Sequence, residues 1–184
     1  MEKSLNPVSI RSRKRIIKGL LSLMQTNQYG SITISQICLQ AQVVRKTFYR
    51  HFKNKEAVLD EYISYLYIEY AGRLKELPLK STYSITLTYF QFWEKYIPFL
   101  KLLDKNNLLL QVLKKYETFL PQLSLKFHCK DNLEAAFLDY TTAYSAGGYW
   151  KLLCKWIERD FKETPEELAR IHIQVLRGLS ALET

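Results

Sequence analysis

Between Thr33 and Lys55 the residue pattern admits two short helices with a bend between them and little else. Thr33 can offer its hydroxyl to the next free backbone N–H groups, and Gln36, three residues later, can reach back in the reciprocal pattern of a capping box. Ile37 and Ala41 lie four apart, a turn at Gln42 and Val43 follows, and Phe48 and Phe52 are again four apart. This spacing predicts one helix from Thr33 to about Gln40 and another from Arg45 to Phe52, sharing a small core of Ile37, Ala41, Val43, Phe48 and Phe52. Arg45, Lys46, Tyr49 and Arg50 are then left facing outward.

Charge singles out the same region. Residues 1–56 hold eleven Lys/Arg against Glu2 and Glu56 and so carry the entire net charge of +9, while the rest of the chain is balanced. A cationic face confined to one small module has a polyanion as its natural partner. A length of 184 residues, 47% of them hydrophobic and 24% charged, describes a folded protein of one or two domains. The odd set Cys38, Cys129 and Cys154 has no short-range pairing, and the N-terminus lacks the charged start and apolar run of a signal peptide, which together suggest a cytoplasmic chain. No apolar run approaches the roughly 18 residues of a membrane helix, so no membrane partner is expected.

Helical periodicity covers nearly all of the remaining chain, with no alternating strand pattern. Ile16, Ile17, Leu20, Leu21, Leu23 and Met24 predict a first helix from about Ser12 to Tyr29, with Gly30 as a left-handed stop. A long helix is expected from Lys55 to about Leu77, ended by Pro78. Further helices follow from about Ser81 to Ile97, broken at Pro98, and from about Asn106 to Phe119, closed by Pro121. Asp131 with Glu134 suggests a capping box opening a helix that reaches about Glu158. Thr164-Pro165-Glu166-Glu167 is the clearest helix start, since cap hydroxyl, proline at the first position and glutamate at the third agree.

The pattern Thr33-Ile34-x-x-Ile37-x-x-x-Ala41-x-Val43-x-x-x-Thr47-Phe48-Tyr49-x-His51-Phe52-x-x-Lys55-Glu56 resembles the DNA-binding domain of the TetR family of bacterial transcriptional regulators. It departs from that family at Gln42, where the tight turn usually has Gly, and at Val44, where Ser or Thr usually caps the recognition helix. A left-handed Gln is less comfortable than Gly, and an apolar cap forgoes about 0.5–2 kcal/mol. A looser similarity covers Ala146-Gly147-Gly148, Trp156-Ile157 and Thr164-Pro165-Glu166-Glu167-Leu168, which look like the C-terminal domain of a TetR subgroup common in Firmicutes.

The resemblance implies an all-α fold with two parts. Residues 1–55 form a three-helix helix-turn-helix DNA-binding domain, joined by the long helix to a helical ligand-binding and dimerisation domain, residues 56–184. Arg45 and Lys46 lead the recognition helix and suit guanine O6 and N7 in a major groove. Tyr49, His51 and Lys55 match family positions that hold phosphates, although His51 beside an aromatic also suits a core. Thr33, Ser35, Gln36, Thr47 and Arg50 complete the expected DNA-binding set. Arg11, Arg13, Lys14 and Arg15 suit non-specific phosphate attraction or a plain solvated surface.

Most aromatic residues lie in the C-terminal part. Tyr62, Tyr89, Trp93 and Tyr96, with Phe119, Tyr140 and Tyr144 facing them, could line a pocket for a small apolar or aromatic effector, or could simply be core at helical spacing. The dimer interface implied by the resemblance falls on the last two helices. There Ala143, Ala146, Gly147 and Gly148 permit close approach, and Leu168, Ile171, Val175 and Leu179 supply an apolar face.

The sequence has no glycine-rich phosphate loop and no nucleophile elbow. It has no metal-ligand spacing either: His128 and Cys129 are adjacent but lack further ligands. Enzyme, metal and cofactor readings are therefore set aside. The expected function is that of a sequence-specific, effector-responsive repressor binding a palindromic DNA operator as a homodimer. The rival is a TetR-like coactivator that binds no DNA and acts through a protein partner.

Overall fold

The structure is a computed structural model that describes residues 7–79, 81–127 and 135–180, with side chains for all of these but 120–127, 135, 138, 179 and 180. Among the described residues there are nine α-helices, one 3₁₀ turn and no strand. The chain divides into two compact units, Met1–Tyr65 and Leu66–Thr184, with the division inside one continuous helix.

The first unit holds α1 (Pro7–Thr26), α2 (Ile34–Ala41), α3 (Arg45–His51) and the first half of α4 (Lys55–Glu76). Its core is made by Ile16, Leu20 and Met24 of α1, Ile37 and Ala41 of α2, Phe48 of α3, and Val58, Leu59 and Ile63 of α4, all buried. α1 starts earlier than its apolar spacing suggests, because Pro7 with its fixed φ suits a first helical position. It also ends earlier. The Asn27 amide donates to Leu23 O at 2.9 Å, and Tyr29–Ser31 form a separate 3₁₀ turn. Gly30 lies inside that turn and has no positive φ, so it is not the left-handed stop the sequence suggests.

α2 opens with the expected capping box: Gln36 N–H donates to Thr33 Oγ1 at 3.3 Å, and Thr33 N–H to Gln36 Oε1 at 2.8 Å. It closes on Gln42 in the left-handed region, φ 51° and ψ 50°, with Val43 N–H donating to Cys38 O at 2.9 Å. α3 starts without a side-chain cap, since Val44 has no oxygen to offer.

The second unit comprises the rest of α4, α5 (Thr82–Glu94), α6 (Ile97–Lys105), α7 (Leu109–Phe127), α8 (Ala135–Glu158) and α9 (Pro165–Ser180). The prolines are where sequence and structure part. Pro98 starts α6 instead of leaving a loop, because a first-turn residue has no intrahelical partner for an N–H. Pro121 does not close α7, which runs on to Phe127. The carbonyl it leaves unbonded belongs to Glu117, an exposed residue that water can satisfy, and Val112 and Tyr116 anchor the preceding turns in the core. The Asp131–Glu134 capping box lies outside the described residues. The one at Thr164 forms: Glu167 N–H donates to Thr164 Oγ1 at 3.2 Å, and Thr164 N–H to Glu167 Oε2 at 2.8 Å.

The turn from α8 into α9 places Asp160 and Phe161 at positive φ. It is held by Phe161 N–H to Trp156 O and by the Trp156 indole N–H to Glu163 O, both at 2.9 Å. One polar cluster ties α5, α8 and α9 together inside this unit. Thr86 Oγ1 lies 2.8 Å from Thr82 O, 2.9 Å from Tyr149 Oη and 2.8 Å from His172 Nδ1. If Thr86 gives its one proton to Thr82 O, both Tyr149 and His172 Nδ1–H donate to it, which fixes the His172 tautomer.

Candidate nucleic-acid interface

α3 is only seven residues long, and its side chains sort by one contact. Phe48 is fully enclosed, edge-on to Tyr49 with ring centroids 5.5 Å apart and tilted against Phe52 at 6.0 Å. Burying Phe48 turns Arg45, Lys46, Tyr49 and Arg50 to the exposed side, as the spacing predicts, and leaves Thr47 half-buried. Arg45 is partly organised: Nη1 donates to Ser35 Oγ of α2 at 3.3 Å, Nη2 to Tyr49 Oη at 3.4 Å, and the guanidinium carbon lies 5.9 Å from the Tyr49 ring centroid. Ser35 and Tyr49 are thus brought to Arg45, while Thr33 and Gln36 spend their oxygens on capping α2 and lie at the exposed start of that helix.

Two expected phosphate contacts are engaged elsewhere. Lys55 Nζ donates to Tyr29 O at 2.7 Å, Gly30 O at 3.1 Å and Ile32 O at 2.9 Å, and sits 4.6 Å from the Tyr29 ring centroid. Three donors meet three carbonyls, so the ammonium serves the fold. His51 is half-buried beside Phe52, and its Nε2 is enclosed without a partner. Burial, and then Arg50 and Arg13, push its imidazole below the ordinary histidine range, so a cationic His51 is disfavoured.

The basic run of α1 also separates. Arg13 forms a two-pronged ion pair with Glu61 of α4 and lies over the Phe52 ring at 5.1 Å, while Tyr65 Oη donates to Glu61 Oε1 at 3.0 Å. The Glu61 hydrogen bond raises the Arg13 guanidinium further. Arg15 donates to Gln42. Arg11 and Lys14 are exposed. No local spacing marks Arg13 and Arg15 as structural, because their partners lie 48 and 27 residues away.

In the second unit Tyr89 and Trp93 are wholly interior, surrounded by Tyr67, Tyr70, Phe90, Phe92, Tyr116 and Tyr149 at ring separations of 4.9–6.4 Å. Phe119 stacks on Tyr67 at 5.6 Å. Tyr96 is half-buried and donates to Glu69 Oε2 at 2.6 Å, a bond that holds the Glu69 carboxyl below its usual range. Burial pushes the Tyr67, Tyr70 and Tyr89 phenols well up. These rings pack on one another as a core does. Tyr140 and Tyr144 do not face them: they stand 79% and 63% exposed on α8. Tyr62 belongs to the first unit. An open groove of about 450 Å³ is lined by Arg159, Lys162, Glu163, Glu167, Arg170 and Ile171 and shares no residue with the aromatic cluster.

The proposed interface residues also divide. Ala146 and Leu168 are buried within the unit and are removed from that set, whereas Ala143, Gly147, Gly148, Ile171 and Val175 are exposed. A Cβ built on Gly147 or Gly148 would meet nothing within 4 Å. The Leu179 side chain lies outside the described residues.

Residues 16–62 match the family described as "Bacterial regulatory proteins, tetR family", and residues 80–178 match the one described as "Transcriptional regulator C-terminal region". The chain belongs to the TetR family of bacterial transcriptional regulators. Both descriptions are of regulators, not enzymes. Within the family the chain is 43% identical over 51 residues to the dhaKLM operon transcriptional activator DhaS of Lactococcus lactis, covering 28% of this chain and 27% of DhaS. It is 36% identical over 63 residues to the HTH-type regulator YxbF of Bacillus subtilis, covering 34% of this chain and 17% of YxbF. These stretches span about a quarter and a sixth of the two relatives and lie below two thirds of either.

Solved structures share this TetR fold over nearly the whole chain. They include a dihydroxyacetone kinase operon activator DhaS (TM-score 0.56, 22% identity, 94% of this chain and 96% of that one). A TetR regulator from Streptococcus agalactiae aligns at TM-score 0.62 and 22% identity over 91% and 94%, and the fatty acid degradation regulator FadR of Bacillus halodurans at 0.60 and 18% over 95% and 96%. Among the described residues no helix is long and apolar enough to cross a membrane, and no group of three or more His, Cys, Asp or Glu could hold a metal ion.

Proposed function

We propose that this TetR-family chain reads a palindromic operator with α3 as a homodimer. The observation that carries the reading is the exposed face of α3 opposite Phe48, where Arg45, Lys46 and Arg50 stand together with Tyr49. Such a helix fits a major groove, and Arg45 and Lys46 at its leading end can donate to guanine edges. This face also argues against the coactivator rival, which has no use for it. A seven-residue helix reads few base pairs, and two copies about 34 Å apart double the readout.

The dimer reading rests on an apolar stripe of α8 and α9. Phe137, Tyr140 and Tyr144, at steps of three and four, are exposed in line with Gly147 and Gly148, and Ile171 and Val175 of α9 are 39% and 50% exposed. Large apolar side chains exposed repeatedly along one helix face mark an interaction surface. Effector response is the third part of the proposal. It is supported by the aromatic content of the second unit, where a ligand would have to displace rings that now touch each other.

The sequence suggests repression, whereas the name of the DhaS relative is that of an activator and favours the opposite sign. A reporter gene behind the selected operator, with and without the protein, separates the two.

DNA reading is tested by selecting a preferred site from a randomised duplex pool and measuring variants on that site and on random duplex. Arg45→Ala and Lys46→Ala should each cost about 1–3 kcal/mol of preference. Equal loss on both DNAs would reduce the two side chains to phosphate contacts.

A further inference from the structure

We propose that Arg15 is a positioning residue for DNA reading: from α1 it clamps the left-handed turn at Gln42 and so fixes the direction in which α3 leaves α2. The inference rests on the DNA-reading role of α3 and adds to it a residue that is not on that helix.

The turn needs holding. Gln42 sits at φ 51°, a region that an L-residue with a Cβ adopts against steric resistance and that glycine enters freely. Two residues on stands Val44, the residue that caps α3, which supplies no side-chain hydrogen bond to the helix start. In place of a cap, the first turn of α3 is closed by Thr47 N–H to Val44 O at 2.9 Å and Phe48 N–H to Val44 O at 3.2 Å, with Phe48 buried beneath it. Departure of Gln42 from the left-handed region would re-aim the start of α3, where Arg45 and Lys46 stand.

Arg15 holds Gln42 in that region. Its Nη2 donates to the Gln42 backbone carbonyl at 3.0 Å and to the Gln42 side-chain Oε1 at 2.9 Å, so one nitrogen ties main chain and side chain of the same residue. The reach is made possible by Gly19, one helical turn further along α1. A Cβ there would lie 3.2 Å from both the Cβ and the N of Ala41, tighter than side chains normally pack, so any larger residue would push α1 and the end of α2 apart by a few tenths of an ångström. Gln40 Nε2 donates to Ser22 Oγ at 3.2 Å and adds a second tie between the same two helices. The side chain of Gln42 thus supplies half of a clamp that a glycine could not, and the clamp secures the conformation that a glycine would adopt unaided.

The test uses the full chain, a site selected by the wild-type protein from a randomised duplex pool, and random duplex as the reference. Arg15→Met keeps the aliphatic stem and removes the guanidinium. It should lower preference for the selected site about tenfold, the scale of a lost charge-assisted hydrogen bond, with the salt dependence of binding unchanged. Adding Gln42→Gly to Arg15→Met should restore the preference, a rescue that general destabilisation does not predict. Equal weakening on both DNAs with a salt slope smaller by about one unit would make Arg15 a phosphate contact and overturn the proposal. Unchanged preference, or no rescue by Gln42→Gly, would overturn it as well. If circular dichroism shows Arg15→Met unfolded, Gln42→Ala and Gln42→Gly replace it: the alanine should lose preference and the glycine keep it, and equal behaviour of the two sinks the clamp. A wild-type protein that selects no site at all would instead sink the DNA-reading role on which the clamp rests.

Discussion

Lys55 shows how a residue in a recognisable position can be committed to another task. The sequence places it at the start of a helix beside the recognition helix, where a cation suits a phosphate. Its three ammonium protons go to Tyr29 O, Gly30 O and Ile32 O instead. Those carbonyls belong to a 3₁₀ turn and its exit, and although Tyr29 O also accepts the Ile32 N–H at 3.2 Å, removing the ammonium takes a charged donor from all three. Lys55→Met should destabilise the protein by about 1–3 kcal/mol in urea denaturation. It should also leave the salt dependence of DNA binding unchanged, and a salt slope reduced by about one unit would restore Lys55 to the phosphate set. The Phe48, Phe52, Ile37 and Ala41 stripe was readable because those residues act within one or two helical turns. The partners of Lys55, Arg13 and Arg15 lie 23 to 48 residues away, and no local spacing encodes them.

At the scale of the element, caps were legible and prolines were not. Thr33 and Thr164 form their boxes because a cap depends on residues three apart. The sequence pattern predicts breaks at Pro98 and Pro121, but a proline's effect depends on whether its missing N–H had a partner to lose and on who satisfies the leftover carbonyl. The docking of α9 on α5 likewise depends on a contact that sequence could not show, His172 Nδ1 to Thr86 Oγ1. Burial pushes His172 below the ordinary histidine range, and His51 is lowered too. The unfolded chain therefore binds more protons than the folded one between the lowered values and about 6.5, and stability rises with pH there. This contribution is complete above about pH 6.5 and is lost as pH falls through the folded-state values. His172→Asn, whose amide can still donate to Thr86, should show a shallower loss of urea stability than wild type between about pH 7 and 5. An identical pH profile would assign the dependence to other groups.

For the whole molecule, family and fold were visible in two separated motifs, whereas the division of labour among aromatic residues was not. Helical spacing cannot distinguish Tyr89, which is enclosed, from Tyr140, which stands in solvent, since both recur at steps of three and four. The exposed members, with Gly148 and Val175, form the face proposed to bind a second copy. Val175→Glu puts a charge on that face, and Gly148→Trp places a large ring where a Cβ would meet nothing within 4 Å. Both should sediment as monomers with unchanged circular dichroism, and an unchanged dimer in both would move the interface elsewhere. The Arg13–Glu61 ion pair, with Tyr65 behind it, bears on how this protein can be cut and recombined. A chimera joined after Lys55, at the end of the recognisable motif, would separate Arg13 from its counter-ion and strip Val58, Leu59 and Ile63 from the core they help close. The natural seam for exchanging DNA specificities with another family member lies after Tyr65, midway along α4, where a splice leaves both compact units intact.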